Sequence, residues 1–106
     1  KGVEIAVSSG TEVQAAAAGK VTYSGNGIRG FGNLLLIQHS DGWMTAYAHN
    51  EKLLVKRGDR VTQGQQIGQA GSTGGVSEPQ LHFEVRFAPA PQERARPIDP
   101  NLVMPR

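Results

Sequence analysis

The feature that most constrains the fold is the recurrence of short apolar segments between glycines. The chain has 14 glycines among 106 residues. Leu81, Phe83, Val85 and Phe87 alternate with polar residues, which is the two-residue period of a strand with one buried face. Residues 34–37 are all apolar, which is typical of a strand covered on both sides. We therefore predict an all-β domain, and no amphipathic helix of ordinary length is evident.

A weak internal repeat indicates how the strands are arranged. Residues 10–13 and 19–21 resemble residues 58–61 and 64–67, because in each pair a glycine turn leads into a short strand and a second glycine turn follows. We predict two similar hairpin units that close a small antiparallel two-sheet sandwich, a barrel-like hybrid.

From Ala88 the chain is rich in proline and loses its periodicity, so we predict an irregular terminal segment over residues 88–106, laid on the surface.

Length, charge and composition exclude several classes of function. The chain has the size of one domain, and we predict that residues 1–106 form a single domain cut from a longer protein. It has no cysteine, which excludes a disulfide scaffold, a thiol nucleophile and a cysteine zinc site. The net charge is only +2 and the basic residues are scattered, so we predict no nucleic-acid partner. The longest apolar run is too short for a membrane span.

Histidines are the first candidates for chemistry. His49 ends a predicted strand, and His82 lies inside a strand whose other face is apolar. Together with the glycine-rich residues 71–75 they indicate the floor and rim of a groove, because glycine lets the backbone approach a ligand closely. His39 stands at a strand end before a turn, and we interpret it as a packed or hydrogen-bonded histidine. Gln80 shares a strand face with His82, but an amide neither binds a metal as imidazole does nor shuttles protons near neutral pH.

The inventory for a metal site is thin. A catalytic zinc needs about three protein ligands and an open position for water. It also needs a general base that activates that water. The chain offers Glu4, His49 and His82. Glu4 is one methylene longer than aspartate, which moves its oxygens by about an ångström from a site built for the shorter side chain.

Several separated segments resemble the motifs of LytM-type domains, the lysostaphin-like M23 peptidases. Active members of that family are zinc endopeptidases that cut peptidoglycan cross-links. They carry a His-x-Gly-x-Asp motif, a Tyr-Ala-His strand, a Gly-x-Thr-Gly loop and a His-x-His-Phe-Glu strand. The corresponding segments here are Gly2-Val3-Glu4-Ile5-Ala6, Ala46-Tyr47-Ala48-His49, Gly71-Ser72-Thr73-Gly74 and Gln80-Leu81-His82-Phe83-Glu84. The resemblance covers residues 1–87 and implies a LytM fold with a groove.

Departures from the family motifs bear on activity. Glu4 stands where the family has a ligand aspartate, and Gln80 where active members have a catalytic histidine. His82 matches a zinc ligand and His49 the other catalytic histidine, while the family's first ligand would precede Lys1. The resemblance thus implies vestigial catalytic positions at His49 and Gln80 and vestigial metal positions at Glu4 and His82. We expect no metal and no other cofactor.

This pattern resembles the degenerate members of the NlpD, EnvC and DipM type. Those proteins do not cut peptidoglycan; they activate N-acetylmuramoyl-L-alanine amidases in the periplasm of Gram-negative bacteria during cell separation. The resemblance implies a catalytically inactive periplasmic regulator with an amidase as partner and peptidoglycan as a second one. We expect the partner to bind a groove lined by Tyr47, His49, Ser72, Thr73, Gln80, His82 and Arg86.

Three alternatives stay open at the level of sequence. The first is a zinc-dependent peptidoglycan endopeptidase that tolerates Gln80, although the substitution removes a proton-transfer group worth roughly 10²–10⁴ in rate. The second is a carrier domain, because residues 61–68 resemble the hybrid-barrel motif of biotinyl, lipoyl and phosphocarrier domains, but Lys20 lacks the flanking residues of a modified lysine. The third is a module that binds glycan strands or stem peptides without cutting them.

Overall fold

The chain forms nine strands and no α-helix in residues 2–87 and 96–98, the part that our computed structural model describes. The predicted all-β class is confirmed. No helix among these residues is long and apolar enough to cross a membrane. A short 3₁₀ turn at Ser40–Gly42 joins the fourth and fifth strands. The strands are β1 Val3–Ala6, β2 Glu12–Gln14, β3 Gly19–Gly25, β4 Asn33–Gln38, β5 Trp43–Leu53, β6 Arg60–Val61, β7 Gln66–Ala70, β8 Gln80–Phe87 and β9 Arg96–Ile98.

All strand pairs are antiparallel, as predicted. Six strands follow the order β1-β8-β5-β4-β3-β6, while β7 pairs with both β2 and β5, and β9 pairs with β8. The two sheets expected from the sequence are therefore joined into one sheet that does not close. The eleven-residue β5 makes this possible, because its first part pairs with β8 and its last part with β7.

The two repeat units interlock instead of forming separate hairpins. β2 of the first unit pairs with β7 of the second, and β3 pairs with β6. Backbone hydrogen bonds join the two units: the Ala15 N–H donates to the Gln65 carbonyl at 2.9 Å, and the Val21 N–H to the Asp59 carbonyl at 2.8 Å. The predicted units are therefore not hairpins, because β2 does not pair with β3 and β6 does not pair with β7. Interlocking the units brings their apolar residues into one core, whose members include Val13, Val21, Val61 and Ile67.

The strand register fixes which side chains share a face, because directly opposed residues in an antiparallel pair point to the same side. Val21, Ile37, Thr45 and Val85 form one such row, and all four are buried in the main core. Ala46 and Glu84 are opposed to each other in the adjacent row, and Ala48 is opposed to His82 in the next one. We call the sheet face that carries Ala46, His82 and Glu84 the site face.

The last strand corrects the prediction for the terminal segment. Arg96–Ile98 forms β9, in which Ile98 opposes Val85 and Arg96 opposes Phe87. The irregular structure expected over residues 88–106 is therefore wrong for these three residues, and the remainder of that segment lies outside the described residues. Pro97 suits β9 because proline, which has no N–H to donate, is tolerated on strands at a sheet edge.

A chain of hydrogen bonds runs through the main core. The Ala16 N–H donates to the Tyr47 hydroxyl at 3.0 Å, and this oxygen lies 2.7 Å from the Thr45 hydroxyl. Thr45 in turn lies 2.8 Å from Nε2 of His39, whose Nδ1 lies 2.7 Å from the Ala18 carbonyl. A carbonyl only accepts, so Nδ1 of His39 is the donor there. The interpretation of His39 as a hydrogen-bonded histidine is confirmed.

Candidate functional site

His49 and His82 lie side by side, with ring centroids 6.1 Å apart and the rings edge to face. The alternation of a regular strand would place His49 on the face of Tyr47, but the structure has it beside His82 instead. His49 has a φ of 71°, in the left-handed region that residues other than glycine rarely adopt. This backbone conformation breaks the alternation of β5, and His49 joins His82 on the other side of the sheet from Tyr47.

Loop contacts hold His49 in this position. Its N–H donates to the Phe31 carbonyl at 2.9 Å, and its Nδ1 donates to the Thr73 carbonyl at 2.7 Å. The Thr73 hydroxyl accepts the Asn33 N–H at 3.1 Å, which joins residues 71–75 to the first glycine-rich loop, residues 25–32. Gly32 is required at this junction, because its φ is 63° and a Cβ would lie 2.4 Å from the Thr73 hydroxyl. His49 therefore uses Nδ1 on the Thr73 carbonyl, and its Nε2 has no hydrogen bond in the described residues.

His82 lies between two carboxylates. Glu4 directly opposes it on β1, and the Glu4 carboxylate contacts Nδ1. On the other side, Nε2 lies 2.6 Å from Oε2 of Glu84. Arg86 completes the series, because its Nε and Nη2 lie 2.7 and 2.6 Å from Oε1 of Glu84. Glu4, His82, Glu84 and Arg86 thus form a continuous charged row on the site face.

Glu84 is the buried member of this row, with 2% of the residue exposed. Burial alone would raise the pKa of Glu84, but hydrogen bonds from His82 and Arg86 and their charges outweigh it and hold the pKa below 4.5. The carboxylate is therefore ionised at neutral pH. A buried charge is tolerated because two partners satisfy its oxygens.

Gln80 occupies the same strand face as His82 and directly opposes Ala6. Its N–H donates to the Gly71 carbonyl at 2.9 Å, and its side-chain amide donates to the Glu78 carbonyl at 3.2 Å. The amide therefore contacts the adjoining loop. Position 80 at the start of β8 therefore carries no ring nitrogen, whereas active members of the family that the sequence resembles have a histidine there.

The remaining residues of the predicted groove separate into two groups. Arg86 is half-buried through its contacts with Glu84, Thr73 supplies its carbonyl and hydroxyl to the loop junction, and Ser72 is exposed. Tyr47 does not belong with them: it is 1% exposed, lies on the opposite face, and packs against Phe83 at a centroid distance of 5.4 Å. Burial, against its hydrogen bonds with Ala16 and Thr45, raises the pKa of the Tyr47 hydroxyl above 10.

Sequence reasoning missed two residues of the site. The Phe31 ring lies 6.1 Å from the His82 ring and covers it from the first glycine-rich loop. Nothing in the local pattern distinguishes this phenylalanine from other loop residues. Glu84 was visible as the last residue of the motif that contains His82, and its place on the same strand face was a signal for their contact.

The chain is similar to known proteins in both sequence and structure. The sequence profile of Peptidase family M23 matches residues 1–100. The chain belongs to the M23 peptidase family. The catalytic domain of lysostaphin from Staphylococcus simulans superposes with a TM-score of 0.84 and 36% identity, covering 95% of this chain and 75% of that one. A zinc-containing peptidase from Vibrio cholerae matches at a TM-score of 0.78 and 36% identity, covering 92% of this chain and 28% of that one.

Among curated relatives of this M23 domain, the Caulobacter vibrioides cell division protein DipM is 51% identical over 105 residues. That match covers 99% of this chain and 17% of DipM. The Escherichia coli murein hydrolase activator NlpD is 48% identical over 87 residues, which cover 82% of this chain and 23% of NlpD. The chain therefore spans about a fifth of the length of these two relatives.

The side chains of this site bear on whether the domain can hold a zinc ion, as the zinc-containing peptidase from Vibrio cholerae does. Among residues 2–87, no group of three or more His, Cys, Asp or Glu side chains is arranged to hold a metal ion. Both ring nitrogens of His82 contact carboxylate oxygens, so neither nitrogen is free for a metal in this arrangement. His49 uses its Nδ1 on Thr73. The described residues do not fit a three-ligand zinc centre.

Proposed function

We propose that this chain is a catalytically inactive M23 domain that binds and activates an N-acetylmuramoyl-L-alanine amidase in the Gram-negative periplasm. It would act in peptidoglycan hydrolysis during cell division. The single observation that carries the proposal is Gln80, which fills the position of a catalytic imidazole on the face of His82. An amide cannot take up and return a proton near neutral pH, so general acid–base catalysis lacks one of its groups.

The charged row supports the same conclusion. Hydrolysis by zinc needs a metal-bound water, and the Glu4 and Glu84 carboxylates both contact His82 where a ligand nitrogen would have to be free. Glu4 and Arg86, the more exposed members of this row, still offer a polar surface to another protein. The names of the relatives, a cell division protein and a murein hydrolase activator, support regulation as its use.

We place the partner contact on the site face. The surface would include Ser72, Thr73, Gln80, His82 and Arg86, with His49 largely buried beside His82 and with peptidoglycan as a second ligand of the same groove. An activator of this kind acts by binding only the open state of its partner, so its differential affinity shifts the population towards that state. The lipoprotein names of further relatives support a location in the cell envelope.

Dye release from labelled peptidoglycan sacculi tests the proposal, with zinc present throughout. The domain is assayed alone, with a periplasmic amidase, and beside that amidase alone. We expect the mixture to release dye faster than the amidase, and the domain alone to release none. Release by the domain alone that is abolished by a chelator and by His82→Ala would instead establish a peptidase.

A zinc endopeptidase is the second candidate, favoured by the fold match with lysostaphin and by the 6.1 Å between the rings of His49 and His82. The native chain itself discriminates the two candidates, because it already carries an amide in place of the imidazole at Gln80. If the domain were an active peptidase that tolerates Gln80, the native chain would already cut sacculi. If it is an inactive regulator, the native chain cuts nothing.

A further inference from the structure

A second polar site lies at the far end of the sheet from His82. A cleft of about 470 Å³ opens where β3 begins and β4 ends. Lys20, Gln38, His39, Ser40 and Arg60 line it. Gly19 also lines it. The proposed function makes no use of this cleft.

Two cations lie on opposed strands in the cleft. Lys20 on β3 directly opposes Arg60 on β6. No carboxylate in the described part of the chain forms an ion pair with either side chain. Like charges at directly opposed positions of an antiparallel pair destabilise the sheet. The local field therefore favours an anion supplied from outside the chain.

This cleft is continuous with the site face. Arg60 opposes Lys20, Lys20 opposes Gln38, Gln38 opposes Met44, and Met44 opposes Arg86. All five side chains therefore point to one side of the sheet, across a distance of about 19 Å at the ordinary spacing of strands. Arg86 is already paired with Glu84, so Lys20 and Arg60 are the cations of this row left for an external carboxylate.

We propose that the cleft between Lys20 and Arg60 binds acidic side chains of the protein partner that occupies the site face. The inference rests on the proposed function and specifies the chemistry of the partner. A polypeptide fits better than a glycan, because the surface between the cleft and His82 is apolar: Tyr23 and Leu36 are half-buried there against Ala46. A segment with apolar residues beside carboxylates complements both regions.

The direct test uses a blocked tetraglutamate peptide as probe, followed by the backbone amide shifts of Lys20, Ser40 and Arg60 in NMR at low salt. We expect saturable shifts that tetraglutamine does not cause. In Lys20→Gln/Arg60→Gln the affinity should fall about tenfold, as expected for the loss of two exposed ion pairs. The control Lys52→Gln/Arg57→Gln removes the same charge from exposed positions outside the cleft and should keep the native affinity.

Three results would overturn the inference. Equal weakening in both double variants would mean that only net charge matters. An absence of shifts with tetraglutamate would remove the site. Soluble muropeptides that bind the cleft at least as tightly as tetraglutamate would assign it to peptidoglycan instead of a protein.

Amidase activation separates this inference from the proposed function. The cleft variant should need about ten times more protein than the native chain for half-maximal dye release with the amidase. If the native chain activates and the cleft variant activates equally well, the cleft inference fails alone. If the native chain activates no amidase, the proposed function fails and, with it, the identity of the acidic partner.

Discussion

Glu4 and His82 directly oppose each other across the β1–β8 pair, and the Glu4 carboxylate contacts the Nδ1 atom of His82. In the motifs of active M23 peptidases both positions belong to metal ligands. Here the longer glutamate reaches the imidazole itself, and Glu84 takes the other ring nitrogen. Two residues that suggested a metal centre are instead two members of a charged row that also includes Arg86.

Removal of zinc should therefore leave the domain intact. We expect the unfolding midpoint of the chain to stay unchanged when zinc is added or when a chelator is present, because the described residues offer no three-ligand centre. Differential scanning calorimetry with and without chelator checks this. A midpoint that falls with the chelator and recovers with zinc would contradict it.

Glu84→Gln should destabilise the fold markedly. The substitution leaves His82 and Arg86 without their shared buried carboxylate, and loss of one partner from a buried ion pair costs about 3–5 kcal/mol. Urea denaturation followed by the fluorescence of Trp43 measures the free energy of unfolding. The matched control is Glu12→Gln, at an exposed strand position, which should change it little. Equal effects of the two variants would argue against a buried ion pair at Glu84.

The same carboxylate predicts how stability depends on pH. Because the folded pKa of Glu84 is lowered, its contribution is fully present above its unfolded value near 4.5 and is lost as the pH falls through the folded value. The gap in unfolding free energy between the native chain and Glu84→Gln should therefore be constant from pH 7 to 5 and shrink below pH 4.5. A gap that grows on acidification would refute the assigned direction.

Tyr47→Phe tests whether Tyr47 acts in the core or at the groove. The loss of the hydroxyl leaves the partly buried Ala16 N–H without its acceptor, so the free energy of unfolding should fall by about 1–3 kcal/mol. Tyr23→Phe is the matched control, because the Tyr23 hydroxyl accepts the Gly27 N–H at an exposed site. Amidase activation measured well below the unfolding midpoint should be unchanged in Tyr47→Phe; a loss of activation without a loss of stability would return Tyr47 to the groove.

Lys20→Gln should raise stability slightly, by about 0.5 kcal/mol or less, because it relieves the repulsion between Lys20 and Arg60. The gain should vanish at high salt, which screens exposed charges. Lys52→Gln, at an exposed position on β5, should show no such gain. Lower stability in Lys20→Gln would mean that the lysine makes a favourable contact inside the chain.

Much of the fold and the order of the site segments could be predicted from the sequence. The alternation of Leu81, Phe83 and Val85 is a local signal, and the structure has β8 at Gln80–Phe87 as that signal requires. The same alternation put Gln80 and Glu84 on the face of His82. Those relationships depend only on the two-residue period of a strand, so no tertiary information was needed.

Other relationships were decided by tertiary structure. His49 lies on the opposite face from Tyr47 because loop contacts to Phe31 and Thr73 stabilise the left-handed backbone conformation of His49. The two-residue alternation of a strand cannot reveal such a conformation. The repeat units interlock because strands that are distant in sequence pair with each other and share one core. A local sequence pattern does not specify this pairing. The sequence by itself determined the strand class, the loss of the imidazole at Gln80 and the absence of cysteine chemistry. Only the fold decided that Tyr47 is a core residue and that Lys20 faces Arg60, because both depend on long-range strand register.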